Sequence, residues 1–108
     1  MAASDHHNVY VVLLGPGVLR ERRFRAANPQ HVRGQPCVYV GVTGLTPEER
    51  LQRHKAGVQA CGYVTRYGKR LMPELYEFLN PMPYASAAEM EGDLAQDLRE
   101  LGYGVWQN

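Results

Sequence analysis

The sequence contains no apolar run that approaches the roughly 20 residues of a membrane-spanning helix. Its first seven residues lack the basic-then-apolar order of a secretion signal. Only two cysteines are present, Cys37 and Cys61. Two cysteines in no paired motif are too few for a metal site and are typical of reduced thiols, so we assign them no chemistry. We therefore expect a soluble, cytoplasmic protein with a flexible N-terminus over residues 1–7.

The chain is 108 residues long, which leaves room for one domain, because single domains typically run to about 50–200 residues. The sequence contains no repeat, no low-complexity segment and no zinc finger or helix-turn-helix motif that would read bases. We therefore expect residues 1–108 to form a single domain.

The net charge of +1 hides an uneven distribution along the chain. Residues 20–70 hold eleven lysines and arginines against three glutamates, a net charge of +8, whereas residues 71–108 hold one arginine against seven acidic residues, a net charge of −6. A basic face on a near-neutral protein is what binding to a phosphate backbone needs. The alternative is a solvated surface on which the two halves pair with each other.

Two short runs of β-branched and aromatic residues predict buried strands. Asn8–Leu14 ends at a Gly-Pro-Gly turn, and Cys37–Val42 has the same character. Between them, residues 18–27 have some helical character and residues 28–36 are predicted to be a loop.

Two Thr/Ser-x-x-Glu sequences predict helix starts. Thr46 and Glu49 flank a proline suited to the first helical position, which predicts a helix from about 47 to 56 that stops at Gly57. Ser86 and Glu89 predict a second helix that ends before Gly102.

The remaining segments complete an α+β fold. Residues 58–72 predict a short helix and then a strand, residues 73–79 fit either a helical turn or more strand, and residues 103–106 are a candidate for a last short strand. We expect a small mixed or antiparallel three-stranded sheet flanked by helices.

Three polar side chains are placed by these helices. Arg50 and His54 are one turn apart and can point at the same place, and Glu91 falls on the border of the apolar stripe of the last helix. Each has an ordinary explanation: a solvated helix face for the first two and a surface carboxylate for the third. Likewise, a tyrosine in a strand, such as Tyr10 or Tyr39, is usually part of the core.

Taken together, these residues resemble the GIY-YIG endonuclease family, whose small domain packs a short mixed sheet with helices around a single metal site. Asn8-Val9-Tyr10 stands in the place of Gly-Ile-Tyr, and Tyr39-Val40-Gly41 matches Tyr-Ile-Gly. Arg50 and His54 follow as Arg-x-x-x-His, and Met90-Glu91-x-x-Leu94 matches the late apolar-Glu-x-x-Leu helix. In the order of its elements the resemblance spans residues 8–105.

The chain departs from this family pattern at three places. Asparagine replaces the first glycine at Asn8. The two tyrosines are farther apart in sequence than in the family, so the segment 19–36 (Leu19–Pro36) looks like an insertion. Where the family often has a late asparagine the chain has Tyr103-Gly104-Val105, with Asn108 as a candidate substitute.

The resemblance implies a metal-dependent endonuclease that hydrolyses DNA phosphodiester bonds. Tyr10 would be the general base or would position water, with Tyr39 in support, although which tyrosine takes the proton stays open. Arg50 would hold the scissile phosphate, and His54 would orient water or a tyrosine, or donate a proton. Glu91 would ligate Mg²⁺ or Mn²⁺, whose remaining ligands are water and phosphate oxygens.

The basic residues imply contacts to DNA around this centre. The expected nucleic-acid-binding residues are Arg53, Lys55, Arg66, Lys69 and Arg70. The alternative function is a catalytically weak or inactive nucleic-acid-binding module of the same fold that acts with a protein partner. That partner would dock on the arginines of the 19–36 insertion. Removal of residues 19–35 is then expected to abolish partner binding while leaving the domain folded.

Overall fold

The computed structural model describes residues 5–107, in which four strands form one mixed sheet with helices packed against it. The α+β class is confirmed, but the sheet has four strands where the sequence predicted three. The strands are β1 (Asn8–Leu14), β2 (Cys37–Thr43), β3 (Gly68–Leu71) and β4 (Gly104–Gln107). The additional strand is β4, which had been only a candidate because four residues carry little periodicity.

The strand order is β3-β1-β2-β4, with β1 antiparallel to both of its neighbours and β2 parallel to β4. In the β1–β2 register Tyr10 lies opposite Gly41 and Val12 lies opposite Tyr39. The short strand β4 pairs only with residues 37–40 of β2. Within the described part of the chain, residues 41–43 therefore have a strand neighbour on one side only.

The helices are α1 (Arg22–Ala27), α2 (Pro47–Lys55), α3 (Gly62–Tyr67) and α4 (Tyr84–Glu100), with short 3₁₀ helices at Pro16–Arg20, Pro73–Leu75 and Glu77–Leu79. The segment 73–79, which the sequence left open between a helical turn and more strand, forms two 3₁₀ helical turns and no strand. Gly57 and Gly102 follow the ends of α2 and α4 with positive φ angles of 81° and 87°, as the two helix stops predicted.

The first helix start is confirmed and the second is wrong. The Thr46 hydroxyl accepts a hydrogen bond from the Glu49 amide, and the Glu49 carboxylate accepts one from the Thr46 amide, each at 3.1 Å. In contrast, α4 begins at Tyr84 with the extended residue Pro83 as its N-cap, so Ser86 lies inside the first turn and caps nothing. Proline fixes an extended entry here, and helical conformation begins directly after it.

Both faces of the sheet are covered. The register places Tyr10, Val12 and Tyr39 on one face, where α2 contacts β1. The other face carries fully buried valines, and α4 packs against β1, β2 and β4. These core valines are Val9, Val11, Val38 and Val40. Strand alternation thus separates an aliphatic face from an aromatic face.

The 19–36 segment is part of the core rather than a detachable insertion. Phe24 is fully buried and stacks on Trp106 of β4. The buried Asn28 side chain donates to the Phe24 carbonyl at 2.8 Å and accepts from the Val105 amide at 2.7 Å. This packing argues against the expectation that the domain would stay folded without residues 19–35, because removal would take Phe24 out of the core and leave β4 without these bonds.

The sequence predicted a flexible N-terminus over residues 1–7, and this prediction is corrected at His7. The backbone of His7 exchanges hydrogen bonds with Met82 at 3.1 and 2.9 Å. His7 is therefore tied to the fold, whereas residues 1–4 lie outside the described residues, as does Asn108. Among residues 5–107, no helix has the length and apolarity needed to cross a membrane.

Candidate active site

The two motif tyrosines meet on adjacent strands, as the sequence predicted. Their ring centroids are 6.0 Å apart, and each side chain is only 1% exposed. Gly41 makes this packing feasible, since a Cβ atom there would lie 2.8 Å from both the Tyr10 hydroxyl and the Tyr39 ring. The glycine of Tyr39-Val40-Gly41 is thus required by a side chain from the neighbouring strand.

His54 is fully buried beside these tyrosines. Its Nδ1 lies 3.1 Å from the Cys61 amide, which donates to it, and its Nε2 lies 2.7 Å from the Tyr10 hydroxyl. A backbone N–H can only donate, so Nδ1 carries no proton and the neutral ring donates through Nε2 to the Tyr10 oxygen. His54 therefore orients Tyr10, which was one of its expected roles.

The other expected role of His54, proton donation to substrate, does not fit this environment. Burial and the nearby Arg50 charge lower the pKa of His54 from 6.5 to about 4. The ring is therefore neutral near pH 7 and is not exposed to solvent.

Arg50 lies beside Tyr10 but uses its guanidinium on the loop after α2. It donates to the carbonyls of Gln59 at 2.7 Å and Val58 at 3.3 Å. Its positive charge still acts on the neighbouring groups, because it lowers the pKa of Tyr10. Arg50 does not line the cavity that contains Glu91, so a grip on phosphate there requires its side chain to leave these carbonyls.

Burial dominates the acidity of both phenols. It raises the pKa of Tyr10 from 10.0 to about 12 even though Arg50 and Tyr39 lower it. Burial also raises the pKa of Tyr39, and negative charge on Tyr10, Cys61 or Glu91 would raise it further. Both phenols are therefore neutral near pH 7 unless a cation is added beside them.

Glu91 faces Tyr39 across a cavity of about 250 Å³. The cavity lies at residues 41–44, where β2 extends past the end of β4. Glu91 is half-buried there, and burial raises the pKa of its carboxyl above the ordinary value. Its placement on the border of the apolar stripe of α4 thus brings it to the uncovered end of β2.

His7 is a cavity residue that the sequence did not indicate. It lines the same cavity as Glu91 and packs edge-on against Tyr84, with ring centroids 5.2 Å apart. Its Nδ1 atom is buried and has no hydrogen-bond partner within residues 5–107. The sequence signal was weak, because His7 precedes the first strand in a segment with no periodicity.

Asn8, the departure from the family glycine, has a structural role. Its side-chain amide donates to the Leu45 carbonyl at 2.9 Å and so fixes the loop between β2 and α2. Asn8 thereby holds the residue next to Thr46, the N-cap of α2.

The donor set at the cavity is a sparse one for a metal ion. Glu91 is its only carboxylate, and residues 5–107 contain no group of three or more His, Cys, Asp or Glu side chains that could hold a metal. One carboxylate fits Mg²⁺ or Mn²⁺ when water and substrate oxygens complete the shell. Such a site would bind metal weakly without substrate.

The five basic residues expected to contact DNA differ in whether their side chains already bind another group of the protein. All five are exposed, and Lys55 and Arg70 donate to the backbone carbonyls of Gly68 and Leu71 at 2.6 and 3.0 Å. The side chains of Arg53 and Lys69 make no hydrogen bond within residues 5–107. Arg66 forms an ion pair with Glu21 at 3.1 Å. This is the only ion pair within residues 5–107, so the basic middle of the chain does not pair with the acidic last third there.

The structure thus brings Tyr10, Tyr39 and His54 into contact and places Arg50 beside Tyr10. Glu91 lines a cavity that Tyr39 also lines. Tyr10, His54 and Arg50 do not line that cavity. Comparison of the chain with family models, curated proteins and solved structures found no match.

Proposed function

We propose that this protein is a metal-dependent endonuclease that hydrolyses DNA phosphodiester bonds at the Tyr39–Glu91 cavity. The observation that carries the proposal is that a half-buried carboxylate and a strand tyrosine line one cavity, with a second tyrosine held behind them by a neutral histidine. Phosphodiester cleavage needs an oriented water and a means of neutralising charge on the phosphoryl oxygens. Tyr39 would serve the first task, and the Glu91 carboxylate can hold a cation for the second.

The geometry favours a division of roles between the tyrosines. Tyr39 lines the cavity and is the better placed to contact the attacking water. Tyr10 does not line it and receives a hydrogen bond from His54, so it supports Tyr39 from behind. This reverses the order that the resemblance implied, because cavity access rather than motif position decides which hydroxyl reaches water.

Glu91 is the residue that would hold the ion, and a bound Mg²⁺ or Mn²⁺ would supply charge stabilisation and lower the pKa of groups beside it. His7 lines the same cavity as Glu91. Its Nδ1, which has no hydrogen-bond partner within residues 5–107, can accept a hydrogen bond from a bound water.

The test is cleavage of supercoiled plasmid DNA with Mg²⁺ or Mn²⁺ by purified protein. We expect Glu91→Gln and Tyr39→Phe each to reduce the rate at least about 100-fold, in the range of a lost electrostatic contact at a transition state. Glu89→Gln is the matched control, because Glu89 is an exposed carboxylate on the same helix. Equal activity in Glu91→Gln and Glu89→Gln would disprove the mechanism.

The runner-up function is a DNA-binding module without cleavage, and the engaged guanidinium of Arg50 favours it. It predicts salt-sensitive binding and no metal-dependent cleavage on duplex, nicked and branched DNA. A protein partner would then contact exposed arginines of the 19–36 segment, such as Arg22, Arg23 and Arg33. Substitution of these arginines tests for the partner without removing the segment from the core.

A further inference from the structure

A second cavity, of about 320 Å³, opens between the start of α1, the start of α3 and β4. Its lining is aromatic and charged: Glu21, Arg23, Cys61, Tyr63, Arg66 and Trp106. None of these residues has a role in the proposed hydrolysis.

The aromatic part of this cavity is a fixed cluster. Tyr63 and Trp106 pack edge to face with ring centroids 4.9 Å apart, and Phe24 supports both from the core. The Arg66 guanidinium lies 5.6 Å from the centre of the Tyr63 ring. A wall of aromatic rings and a guanidinium plane is suited to a flat, polar-edged ring such as a nucleobase.

Of the three charged side chains that line this cavity, only that of Arg23 has no ion pair or hydrogen bond within residues 5–107. Glu21 accepts hydrogen bonds from Arg66 at 3.1 Å and from the Tyr67 hydroxyl at 2.6 Å, so this carboxylate is neutralised within the protein. The side chain of Arg23 is exposed and makes no ion pair or hydrogen bond with any of residues 5–107. An exposed guanidinium beside an aromatic wall can bind the phosphate of the same nucleotide.

The cavity is connected to the proposed active site through one residue. Cys61 lines it, and the Cys61 amide donates to His54, which in turn contacts Tyr10. A nucleotide held here would lie behind Tyr10 and Tyr39, on the opposite side of these residues from α4.

We propose that this cavity binds an unpaired nucleotide of the DNA substrate, with its base against Tyr63 and Trp106 and its phosphate on Arg23. The proposal rests on the proposed function for its substrate class. It makes the preferred substrate single-stranded, flapped or containing a displaced base, since a base in a duplex is stacked and cannot enter such a cavity.

The experiment measures binding and not cleavage, in the Glu91→Gln protein without metal. Trp106 is the only tryptophan of the chain, so its fluorescence reports directly on the cavity. We expect a short oligothymidylate to quench this fluorescence, and a hairpin duplex with closed ends to quench it far less at equal phosphate concentration.

A second readout uses the two thiols. Cys61 lines the cavity and is partly exposed, whereas Cys37 is buried with a raised pKa. Oligothymidylate should slow the reaction of Cys61 with a chromogenic disulfide reagent several-fold, while Cys61→Ser protein, which retains only Cys37, should show no such protection.

Two variants identify the contacts. Arg23→Gln, an exposed change that leaves the core intact, should weaken single-strand binding and reduce the salt dependence by about one counterion. Trp106→Leu should weaken binding about tenfold or more, as expected for loss of a stacked base, with Cys61 protection as its readout. If Trp106→Leu does not fold, Arg23→Gln alone decides.

Unchanged fluorescence, equal quenching by the duplex, or unprotected Cys61 would overturn the nucleotide proposal. These outcomes do not depend on hydrolysis. Plasmid cleavage by wild-type protein with no single-strand preference would support the nuclease proposal and contradict the nucleotide-binding role of this cavity. Quenching without cleavage would support the nucleotide-binding role and contradict the nuclease proposal.

Discussion

The phenol end of Tyr10 packs against Gly41, which lies opposite it on the neighbouring strand. A Cβ atom at position 41 would approach the Cζ and hydroxyl oxygen of Tyr10 to 2.8 Å. The absence of a side chain at position 41 leaves room for the Tyr10 phenol, whose hydroxyl meets His54. The packing of the paired tyrosines therefore requires glycine at this position.

Gly41→Ala should destabilise the domain and displace Tyr10. The added methyl group overpacks the site, which typically costs about 1–3 kcal/mol in the free energy of unfolding. Gly92→Ala is the control, because a Cβ atom added at this exposed glycine of α4 would meet nothing within 4 Å beyond the adjacent residues and backbone of the helix itself. Alanine there should stabilise the helix by roughly 0.5–1 kcal/mol. Chemical denaturation measures both, and equal effects would contradict the contact.

His54 should make the stability depend on pH. Its pKa is about 4 in the folded protein against 6.5 for the ordinary side chain, so the unfolded chain takes up the proton first as the pH falls. Its contribution is fully present above pH 6.5 and is lost between about pH 6.5 and 4, a change on the order of 3 kcal/mol. As the pH is lowered over that range, the free energy of unfolding should fall more steeply for wild type than for His54→Gln. Parallel curves for the two proteins would refute the assignment.

Thr46→Ala should reduce stability by about 1 kcal/mol, because Thr46 caps α2 and the reciprocal bond with Glu49 is lost. Ser86→Ala should change it by less than about 0.5 kcal/mol, because Ser86 lies within the first turn of α4 and caps nothing. Thermal denaturation of the two variants compares a real capping box with a sequence that only matches one. A larger loss for Ser86→Ala would contradict the helix start at Tyr84.

Lys69→Gln and Arg70→Gln should each weaken DNA binding and reduce the slope of log affinity against log salt by about one. Both side chains are exposed on the edge strand β3. Arg99→Gln is the control with the same charge change on acidic α4, where Arg99 donates to Gln107. Salt titrations by fluorescence anisotropy measure the slopes. If Arg99→Gln lowered the slope as much as Lys69→Gln, binding would depend on total charge and not on this surface.

Several features of the fold and site could be predicted from the sequence alone. The strands containing Tyr10 and Tyr39, the capped helix that carries His54 and the glycine stops at Gly57 and Gly102 all follow from local chemistry. Each depends on residues within one or two turns or on strand alternation, and such short-range preferences are legible in a single chain.

Only the tertiary structure decided what those residues contact. It buried His54 as a neutral donor to Tyr10, engaged Arg50 with two loop carbonyls, and brought His7 to the cavity of Glu91. It also joined the 19–36 segment to β4 through Asn28. Apart from those of Arg50, these contacts link residues distant in sequence. The protonation and accessibility of the side chains depend on desolvation and packing, which no local pattern encodes.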